Sequence, residues 1–548
     1  MFVPSCAFAR LVPFLGALAL SGAPVGAQEI LHTFVGSTAD SYGQVCDLIG
    51  DTDGDGAAEA LVGAWRDDAP GSLTDAGSLF VYDGATGSLV RNVFGTGAGD
   101  HMGYGSSSAG DANGDGIFDI LAAADEDDTA AGTNAGSALV VDGATGLVLW
   151  QVEGDDASDL FGWSTAAAGD IDNDGFDDVV IGALLDDGAP GGSSAGSLTA
   201  FSGIDGTVIH KIYGPIAGGN LGSNVGRAGD VNGDGHADIM GARGPRVLVY
   251  SGADGTLLHD LANGGLSAEG RCSGGIDVNL DGFDDLVIGN PTSQSLGRVR
   301  VVSGVDGTIL YEIFGDVVGD RLGSAVFGLG DVNGDGYPDF CAGSDGDDAG
   351  GSNAGSLRAF SGKDGSEIMT VPGDAANRRM GTAMGGGHDV NGDGVKDAIA
   401  SSNQSARAWV VSFVPTGVEP FGTGTPGCAG MQPIGTNGPA TVGDAGFTVY
   451  SGNSTPGAGA ILAISANDDP LGTLFLGALL HVAGGGFFQL VAAPPADAKG
   501  SLAIPVPVPN DSAQIGMTYT FQVGSLWPSA SCGESVSTSR GLRVTIQP

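Results

Sequence analysis

Short apolar runs separated by turn-forming residues extend from residue 28 to residue 417, and the pattern repeats. In a representative repeat the runs WSTAAAG, VVIGALL, SLTAFSG and TVIHKIYG are separated by loops rich in glycine, aspartate and serine. Runs of this length between turn signals are typical of antiparallel β-strands. No helical periodicity of any length interrupts them. Each repeat therefore predicts four strands, with an acidic loop joining the first strand to the second.

That acidic loop has a regular frame, seen most clearly in the stretch GDIDNDGFDD. Loop positions one, three, five and nine are Asp170, Asp172, Asp174 and Asp178, and position six is Gly175. Hard cations such as Ca²⁺ take six to eight oxygen ligands, which alternate side chains of a tightly curled loop can supply. Glycine permits the turn that a Cβ atom would resist. The frame therefore predicts a calcium site.

The frame occurs seven times, and the starts of successive frames are 60, 59, 60, 47, 54 and 58 residues apart. A period of this length fits one four-stranded unit per repeat, and repeated four-stranded sheets predict a β-propeller. We therefore expect seven blades and up to seven Ca²⁺ ions. The predicted ligands in the other six loops are Asp51, Asp53, Asp55, Glu59; Asp111, Asn113, Asp115, Asp119; Asp230, Asn232, Asp234, Asp238; Asp277, Asn279, Asp281, Asp285; Asp331, Asn333, Asp335, Asp339; and Asp389, Asn391, Asp393, Asp397.

The two ends of the repeat region complement each other. The last repeat stops after its third apolar run, ARAWVVSF, and a Gly/Pro-rich stretch follows. Near the N-terminus, EILHTFVG (residues 29–36) has the pattern of a fourth strand. We therefore predict that this N-terminal strand completes the seventh blade. Such closure would remove two exposed sheet edges.

The flanking regions predict processing and a second domain. Residues 1–27 carry Arg10, an apolar run and a small-residue site ending near Ala27, which is typical of a secretory signal peptide. An N-terminal anchor helix is the alternative, but the run is short for a membrane span, and no later segment is long enough. Residues 418–427 have the composition of a linker. Residues 428–548 contain about seven apolar runs, which predict a small β-sandwich.

Composition agrees with an exported, cation-rich protein. The net charge is −45, and aspartates of the repeated frame contribute much of it. Without cations the loops would repel themselves, so we expect metal binding to support folding. The charge also argues against nucleic acid as a partner. With 42% hydrophobic residues in periodic runs, the chain is expected to be folded despite its 101 glycines.

Cysteines and histidines offer little reactive chemistry. Cys428 and Cys532 bracket the C-terminal domain and are predicted to pair if the compartment is oxidising. The propeller cysteines Cys46, Cys272 and Cys341 are predicted to be buried thiols. The histidines have no zinc spacing or HxxxH pair and are interpreted as lying at non-equivalent repeat positions. They are His32, His101, His210, His236, His259, His388 and His481.

The loops on the face opposite the metal loops differ between repeats. Four repeats carry long acidic loops, at residues 67–68, 125–128, 186–187 and 345–348. The others have short loops with arginines that either recognise an anionic ligand or merely balance charge at a solvated rim. These arginines are Arg243, Arg246, Arg298, Arg300, Arg378 and Arg379.

The repeats resemble FG-GAP repeats, the blades of the integrin α propeller and of many secreted bacterial proteins. The Phe-Gly element is Phe161-Gly162, with Tyr42-Gly43 in the first repeat, and the Gly-Ala element includes Gly182-Ala183. The resemblance covers about residues 29–417 and implies calcium in the seven loops. It does not extend to integrin leg domains or to an inserted nucleotide-fold domain.

The sequence thus predicts an all-β protein, a seven-bladed propeller of four-stranded blades with a C-terminal β-sandwich. We expect a secreted or cell-surface adhesion or recognition module with an extracellular protein or glycan ligand, no nucleic-acid partner and no transmembrane segment. Two alternatives remain open. One is a structural component of the envelope or matrix, and the other is a propeller enzyme of the polysaccharide lyase or glycosidase type. Because the carboxylates are already assigned to metal, we expect no enzymatic activity.

Overall fold

The computed structural model describes residues 29–413 except 72, 189, 264–270 and 393, together with the backbone of eleven strands between residues 418 and 545. The predicted signal peptide, residues 1–27, lies outside the described residues. The described part contains no α-helix and a single three-residue 3-10 turn, Ser293–Ser295. No helix in the part of the chain described is therefore long and apolar enough to span a membrane.

Seven antiparallel sheets of four strands each form the blades of a propeller. Blade 1 comprises β2 (Tyr42–Leu48), β3 (Ala60–Ala64), β4 (Ser78–Tyr82) and β5 (Leu89–Phe94); blade 2, β6 (Ser107–Gly110), β7 (Asp119–Ala124), β8 (Ser137–Val141) and β9 (Val148–Glu153); blade 3, β10 (Phe161–Gly169), β11 (Asp178–Ala183), β12 (Ser197–Phe201) and β13 (Val208–Tyr213). Blade 4 comprises β14 (Val225–Gly229), β15 (Asp238–Arg243), β16 (Arg246–Tyr250) and β17 (Leu257–Ala262); blade 5, β18 (Arg271–Ile276), β19 (Asp285–Asn290), β20 (Arg298–Val302) and β21 (Ile309–Phe314). Blade 6 comprises β22 (Leu322–Gly328), β23 (Phe340–Ser344), β24 (Ser356–Phe360) and β25 (Glu367–Pro372); blade 7, β26 (Ala383–His388), β27 (Asp397–Ser402), β28 (Arg407–Ser412) and the N-terminal β1 (Glu29–Val35).

The predicted closure of the ring is confirmed. Strand β1 pairs antiparallel with β28, so that Glu29 lies opposite Ser412 and Phe34 opposite Ala408. The Phe34 side chain is buried in a core shared by blades 7 and 1. The first strands of blades 7 and 1, β26 and β2, also contact each other, which completes the ring.

Apolar side chains of neighbouring blades pack face to face. Second strands are buried at every residue except Arg243 at the end of β15, because each lies between two strands of its own blade and is covered on both faces by other blades. In one core, Cys341 and Leu357 of blade 6 pack with the fully buried Trp409 of blade 7. Cys46, Cys272 and Cys341 are free and buried, as predicted.

Among the described residues, the Phe-Gly element docks five of the seven blades onto the preceding one. Phe161, at the start of blade 3, is buried and forms a parallel bridge with Gly136, directly before the third strand of blade 2. Gly162 has a φ of 95°, a conformation that L residues rarely adopt, and approaches the backbone of Ser137 and Ala124. The same parallel bridge joins Met102, Leu221, Leu322 and Met380 to the blades before them.

In six of the seven blades that the structure describes, the third or fourth residue of the fourth (outer) strand hydrogen-bonds to the next blade, a contact that we call the latch. In blade 2, Trp150 Nε1–H donates to the carbonyl of Gly203 in the turn between the third and fourth strands of blade 3. His32, His210 and His259 reach the equivalent carbonyls of the next blade through Nε2, at 2.7, 2.6 and 2.6 Å. Arg91 and Tyr311 hold the same place in their blades and donate to the carbonyls of Asp142 and Lys363.

This latch corrects the interpretation that the histidines lie at non-equivalent positions. Each of the histidines His32, His210 and His259 is the third or fourth residue of its outer strand. Each bonds to the equivalent glycine carbonyl of the next blade. The equivalence was hidden because Arg, Trp and Tyr occupy the same place in other repeats. What these residues share is a side-chain donor of sufficient reach, and not a chemical type.

We predict that Trp150→Phe lowers the free energy of unfolding by about 2 kcal/mol. The change removes the hydrogen bond to Gly203, worth about 1 kcal/mol, and part of a buried ring. Equilibrium urea denaturation measures it. Val148→Ala, at an exposed position of the same strand, is the matched control and should change stability by less than about 0.5 kcal/mol. Equal effects of the two changes would contradict the latch.

Beyond the propeller, the C-terminal strands form sheets of six, three and two strands. They are β29 (Val418–Phe421), β30 (Ile434–Thr436), β31 (Thr448–Ser451), β32 (Gly459–Ser465), β33 (Asp468–Phe475), β34 (Ala478–Val482), β35 (Phe488–Ala493), β36 (Leu502–Pro505), β37 (Thr518–Leu526), β38 (Val536–Thr538) and β39 (Gly541–Thr545). Strand β29 falls within the predicted linker but pairs with β39, so these four residues belong to the C-terminal sheet. The predicted sandwich packing stays a prediction, and Cys428 and Cys532 lie outside the described residues.

Candidate metal centres

Each acidic frame lies in the hairpin between the first and second strands of its blade, as predicted. Position nine starts the second strand or directly precedes it, for example Asp178 at the start of β11 and Glu59 before β3. The side chain at position nine is buried in all seven blades, with 0% exposure. The described residues at positions three to six are exposed or half-exposed, whereas the side chain at position two is buried in six of the seven blades. Each frame therefore runs from solvent into the core of its blade.

Aspartate at position one curls the loop around itself. In blade 2, Asp111 Oδ1 accepts the N–H groups of Gly114 and Asp115 at 2.8 and 3.1 Å, and Oδ2 accepts that of Gly116 at 3.0 Å. Asn113 Oδ1 then accepts the N–H of Asp115 at 2.9 Å. Described loops of the other blades repeat this series of side-chain turns. Asx turns of this kind gather alternate side chains on a short stretch of chain.

Two positions in the loop require a left-handed backbone. At position six all seven residues are glycine, and φ lies between 84° and 94°. At position four, five residues are glycine with φ between 72° and 82°, whereas Asn173 and Leu280 have φ of 62° and 59°. Asparagine tolerates this conformation, but leucine is strained there.

We predict that Leu280→Gly raises the free energy of unfolding by about 0.5–1 kcal/mol. The left-handed conformation costs leucine about 1–2 kcal/mol, which exceeds the entropic cost of glycine. The side chain is 52% exposed, so little burial is lost. Gly282→Ala is the opposite control, because its φ is 92° and no atom lies within 4 Å of an added Cβ. Gly282→Ala should lower the free energy of unfolding through backbone strain alone. Urea denaturation of both variants measures the two changes in the free energy of unfolding.

Within the described part of the chain, acidic side chains converge in two of the loops. In blade 1, Asp51, Asp53, Asp55 and Glu59 each place one carboxylate oxygen within 4.8 Å of the others. In blade 3, Asp170, Asp172 and Asp178 do the same. These are the two loops with aspartate at position three, and the other five have asparagine there. In blades 4 and 5 the asparagine amide donates at 2.9 Å to the aspartate at position five, which satisfies part of its charge within the loop.

Glu59 is the clearest indication that the blade 1 loop is built to hold a cation. It is fully buried, and Oε2 accepts the N–H of Thr52, but Oε1 has no hydrogen-bond partner among the described residues. Burial, and to a smaller extent the charges of Asp53 and Asp51, raise the pKa of Glu59 to about 7. A buried carboxylate without a partner is costly unless a cation neutralises it. An all-oxygen donor set suits Ca²⁺, so these residues fit the predicted ion.

The aspartates at position nine have a second role that the sequence did not suggest. Asp178 Oδ2 accepts the N–H of Ile171 at 2.7 Å, and Oδ1 accepts that of Gly203 at 3.0 Å. Asp178 thus ties the metal loop to the turn between the third and fourth strands. Burial raises its pKa to about 7, although these hydrogen bonds oppose the shift. The same pair of hydrogen bonds is made by Asp119, Asp238, Asp285 and Asp339. A glycine recurs in the turn between the third and fourth strands of these blades, and this was the sequence signal from which the contact could have been predicted.

Position eight links some loops to their neighbours, which the sequence analysis also missed. Asp177 of blade 3 accepts the N–H of Asp111 in blade 2 at 3.1 Å, and Asp284 of blade 5 accepts that of Asp230 in blade 4 at 3.0 Å. The first ligand residue of each of these loops is therefore held by the next blade. Of the predicted ligands, Asp393 lies outside the described residues.

On the opposite face, the arginines serve as local counter-charges. Arg300 and Arg298 pair with Glu312 at 2.7 and 3.3 Å, and Arg379 pairs with Asp345 at 3.2 Å. Arg378 pairs with Asp374 and Arg246 with Asp260. Five of the six arginines named from the sequence are therefore committed to neighbouring acids. This favours charge balance over a basic recognition surface.

Comparison with known proteins identifies the repeats. Residues 161–201 and 273–302 match the family model of the FG-GAP repeat and contain the metal loops of blades 3 and 5. Integrin alpha pat-2 of Caenorhabditis elegans is 30% identical over 224 residues, covering 34% of this chain and 18% of that protein. Integrin alpha-8 of Gallus gallus is 27% identical over 218 residues, covering 35% and 20%. The matched region spans about a fifth of these relatives.

Proposed function

We propose that this chain, a seven-bladed propeller with FG-GAP repeats similar to those of integrin alpha, is a secreted or cell-surface module that recognises an extracellular protein or glycan. Its loops bind calcium, which holds the propeller ready for that ligand. The observation that carries the metal assignment is the buried, unpartnered Oε1 of Glu59 beside three further carboxylates. The similarity to integrin alpha supports a binding role in place of a catalytic one.

Calcium would be held by the side chains at positions one, three, five and nine, together with loop backbone oxygens. When bound, the ion supplies positive charge that offsets the repulsion among these carboxylates. The protein supplies the rest. The aspartate at position one curls the loop, and the glycine at position six allows its turn. The carboxylate at position nine hydrogen-bonds to the turn between the third and fourth strands of the blade. A filled loop would therefore order both hairpins of a blade.

Recognition would occur at the face opposite the calcium loops, where the connections differ most between blades. The acidic loops there have their own internal order. Asp186 accepts the hydroxyl of Ser197 at 2.7 Å and the N–H of Gly188 at 2.8 Å, and Asp347 accepts the hydroxyl of Ser356 at 2.6 Å. Preformed loops lose little conformational entropy on binding, which favours affinity.

Two measurements test this proposal. Equilibrium dialysis should find up to seven calcium ions per chain, and Glu59→Gln should remove one of them. Screening of immobilised extracellular-matrix proteins and polysaccharides should then find a ligand that binds in calcium and is released by chelator. Polysaccharide cleavage would support an enzyme, and tight self-association without any foreign ligand would support a structural role. Either result, in the absence of ligand binding, would overturn the recognition role.

A further inference from the structure

A second group of carboxylates lies away from the repeated loops, on the opposite face between blades 2 and 3. Asp155 and Asp159 belong to the loop from β9 to β10, and Asp186 belongs to the loop from β11 to β12. Each places one carboxylate oxygen within 4.8 Å of the others. No repeated sequence frame marks this group, because its members come from two separate loops.

Asp159 is the residue that distinguishes this place from its counterparts. In the equivalent loops before blades 2 and 6, Asp100 and Asp320 accept the N–H of the residue three positions earlier, Gly97 and Val317. Asp159 is only 4% exposed, yet among the described residues nothing donates a hydrogen bond to its carboxylate. Its carboxylate is instead grouped with those of Asp155 and Asp186. A largely buried carboxylate that has no protein donor is stabilised by a nearby cation.

Lys211 supplies part of that positive charge but does not complete it. Its Nζ lies 2.7 Å from both oxygens of Asp155 and 3.2 Å from Asp186 Oδ2, and it makes no ion pair with Asp159. Three carboxylates and one ammonium group leave two negative charges, which one divalent cation would neutralise. The donors are all oxygen, as Ca²⁺ requires, and the 60% exposed Asp155 side chain leaves the group open to solvent.

We propose that Asp155, Asp159 and Asp186 form an additional divalent-cation site on the face opposite the FG-GAP loops, with Lys211 as a competing internal cation. The site is independent of the repeated loops, so it can be present or absent whatever their occupancy. It would place a metal ion on the variable face, next to the acidic loop of blade 3.

Calcium counting with matched variants tests the site in the full-length chain. Asp159→Asn should lower the number of bound Ca²⁺ ions by one at saturation. Asp100→Asn and Asp320→Asn, at the equivalent hydrogen-bonded positions, should lower it by none. Lys211→Met removes the competing charge and should tighten binding at this site by at least about tenfold. If Glu59→Gln loses one Ca²⁺ ion and Asp159→Asn loses none, calcium binding by the repeated loops is supported and the additional site is overturned.

Terbium luminescence provides a readout that does not depend on how well Asp159→Asn folds. The ring of Tyr213 lies 5.1 Å from Lys211 Nζ and so lies near the site, where it can sensitise bound Tb³⁺. Tyr213→Phe should remove one component of the tyrosine-excited Tb³⁺ emission, and calcium should compete that component away. Emission that is unchanged in both Tyr213→Phe and Lys211→Met would overturn the proposal.

Discussion

Chelation of calcium lowers the melting temperature of the full-length chain by about 23 °C if all seven loops are occupied, and by about 7 °C if only blades 1 and 3 are. Each site contributes about 2.7 kcal/mol when free calcium is 100 times its dissociation constant. Seven sites then contribute about 19 kcal/mol, and two about 5 kcal/mol. The unfolding entropy of a propeller of about 390 residues converts these values into temperature shifts. Differential scanning calorimetry in excess calcium and in chelator measures them.

Two variants show whether the shift comes from the loops. Asp172→Asn gives the blade 3 loop the asparagine found at position three of five other loops, so it should weaken calcium binding there while the hairpin remains folded. Asp40→Asn, in the loop from β1 to β2 on the opposite face, should leave the calcium-dependent shift unchanged. Equal melting temperatures with and without calcium would show that the acidic frames are turns only and would remove the physical basis of the calcium proposal.

A chain that begins at residue 37 loses the fourth strand of blade 7 and no longer unfolds as a cooperative monomer. The deletion removes the β1–β28 pairing, the buried Phe34 and the latch from His32 to Gly84. Burial of the phenylalanine alone contributes about 2–3 kcal/mol. It also leaves β28 as an open edge that can pair with another chain. Light scattering after size exclusion should detect dimers or larger species, and the melting temperature should fall by more than about 10 °C, which corresponds to a loss of more than about 8 kcal/mol.

Addition of the missing strand distinguishes closure from general damage. A synthetic peptide EILHTFVG should restore the monomer and raise the melting temperature of the truncated chain, whereas a peptide of the same composition in scrambled order should not. Phe34→Ala in the full chain should cost about 3–5 kcal/mol without changing the oligomeric state. A truncated chain that stays monomeric with an unchanged melting temperature would show that β1 does not close the ring.

Local spacing in the sequence was enough to predict the repeats, the position of each metal loop and the closing strand. The frame around Asp170 and Gly175 lies within one hairpin, so its residues are near each other in both sequence and space. The strand at residues 29–36 was recognisable because its pattern matches the fourth strands of other repeats. These features depend on hydrophobic period and turn residues, which a single chain displays directly.

Contacts between blades could not be read from the sequence. The outer-strand latch joins residues of different blades, and its donors include Trp150, His210 and Tyr311, which share no chemical type. The absence of a donor for Asp159 became visible only when its loop was compared with the loops of Asp100 and Asp320. Such relations depend on which side chains the ring brings together, and no spacing rule encodes them. Strand β29 was missed for the same reason, since its partner β39 lies more than a hundred residues away.

The pairing of β1 with β28 determines how the ring responds to pulling. Glu29 lies opposite Ser412, so the chain enters β1 and leaves β28 at the same end of the pair. Tension applied between the segments before residue 29 and after residue 412 would load the hydrogen bonds between β1 and β28 one at a time, starting at the Glu29–Ser412 end. A tension between a ligand on the variable face and the segment after residue 412 would not first separate that pair. The ring should therefore resist force transmitted through a bound partner better than force applied to its own two ends.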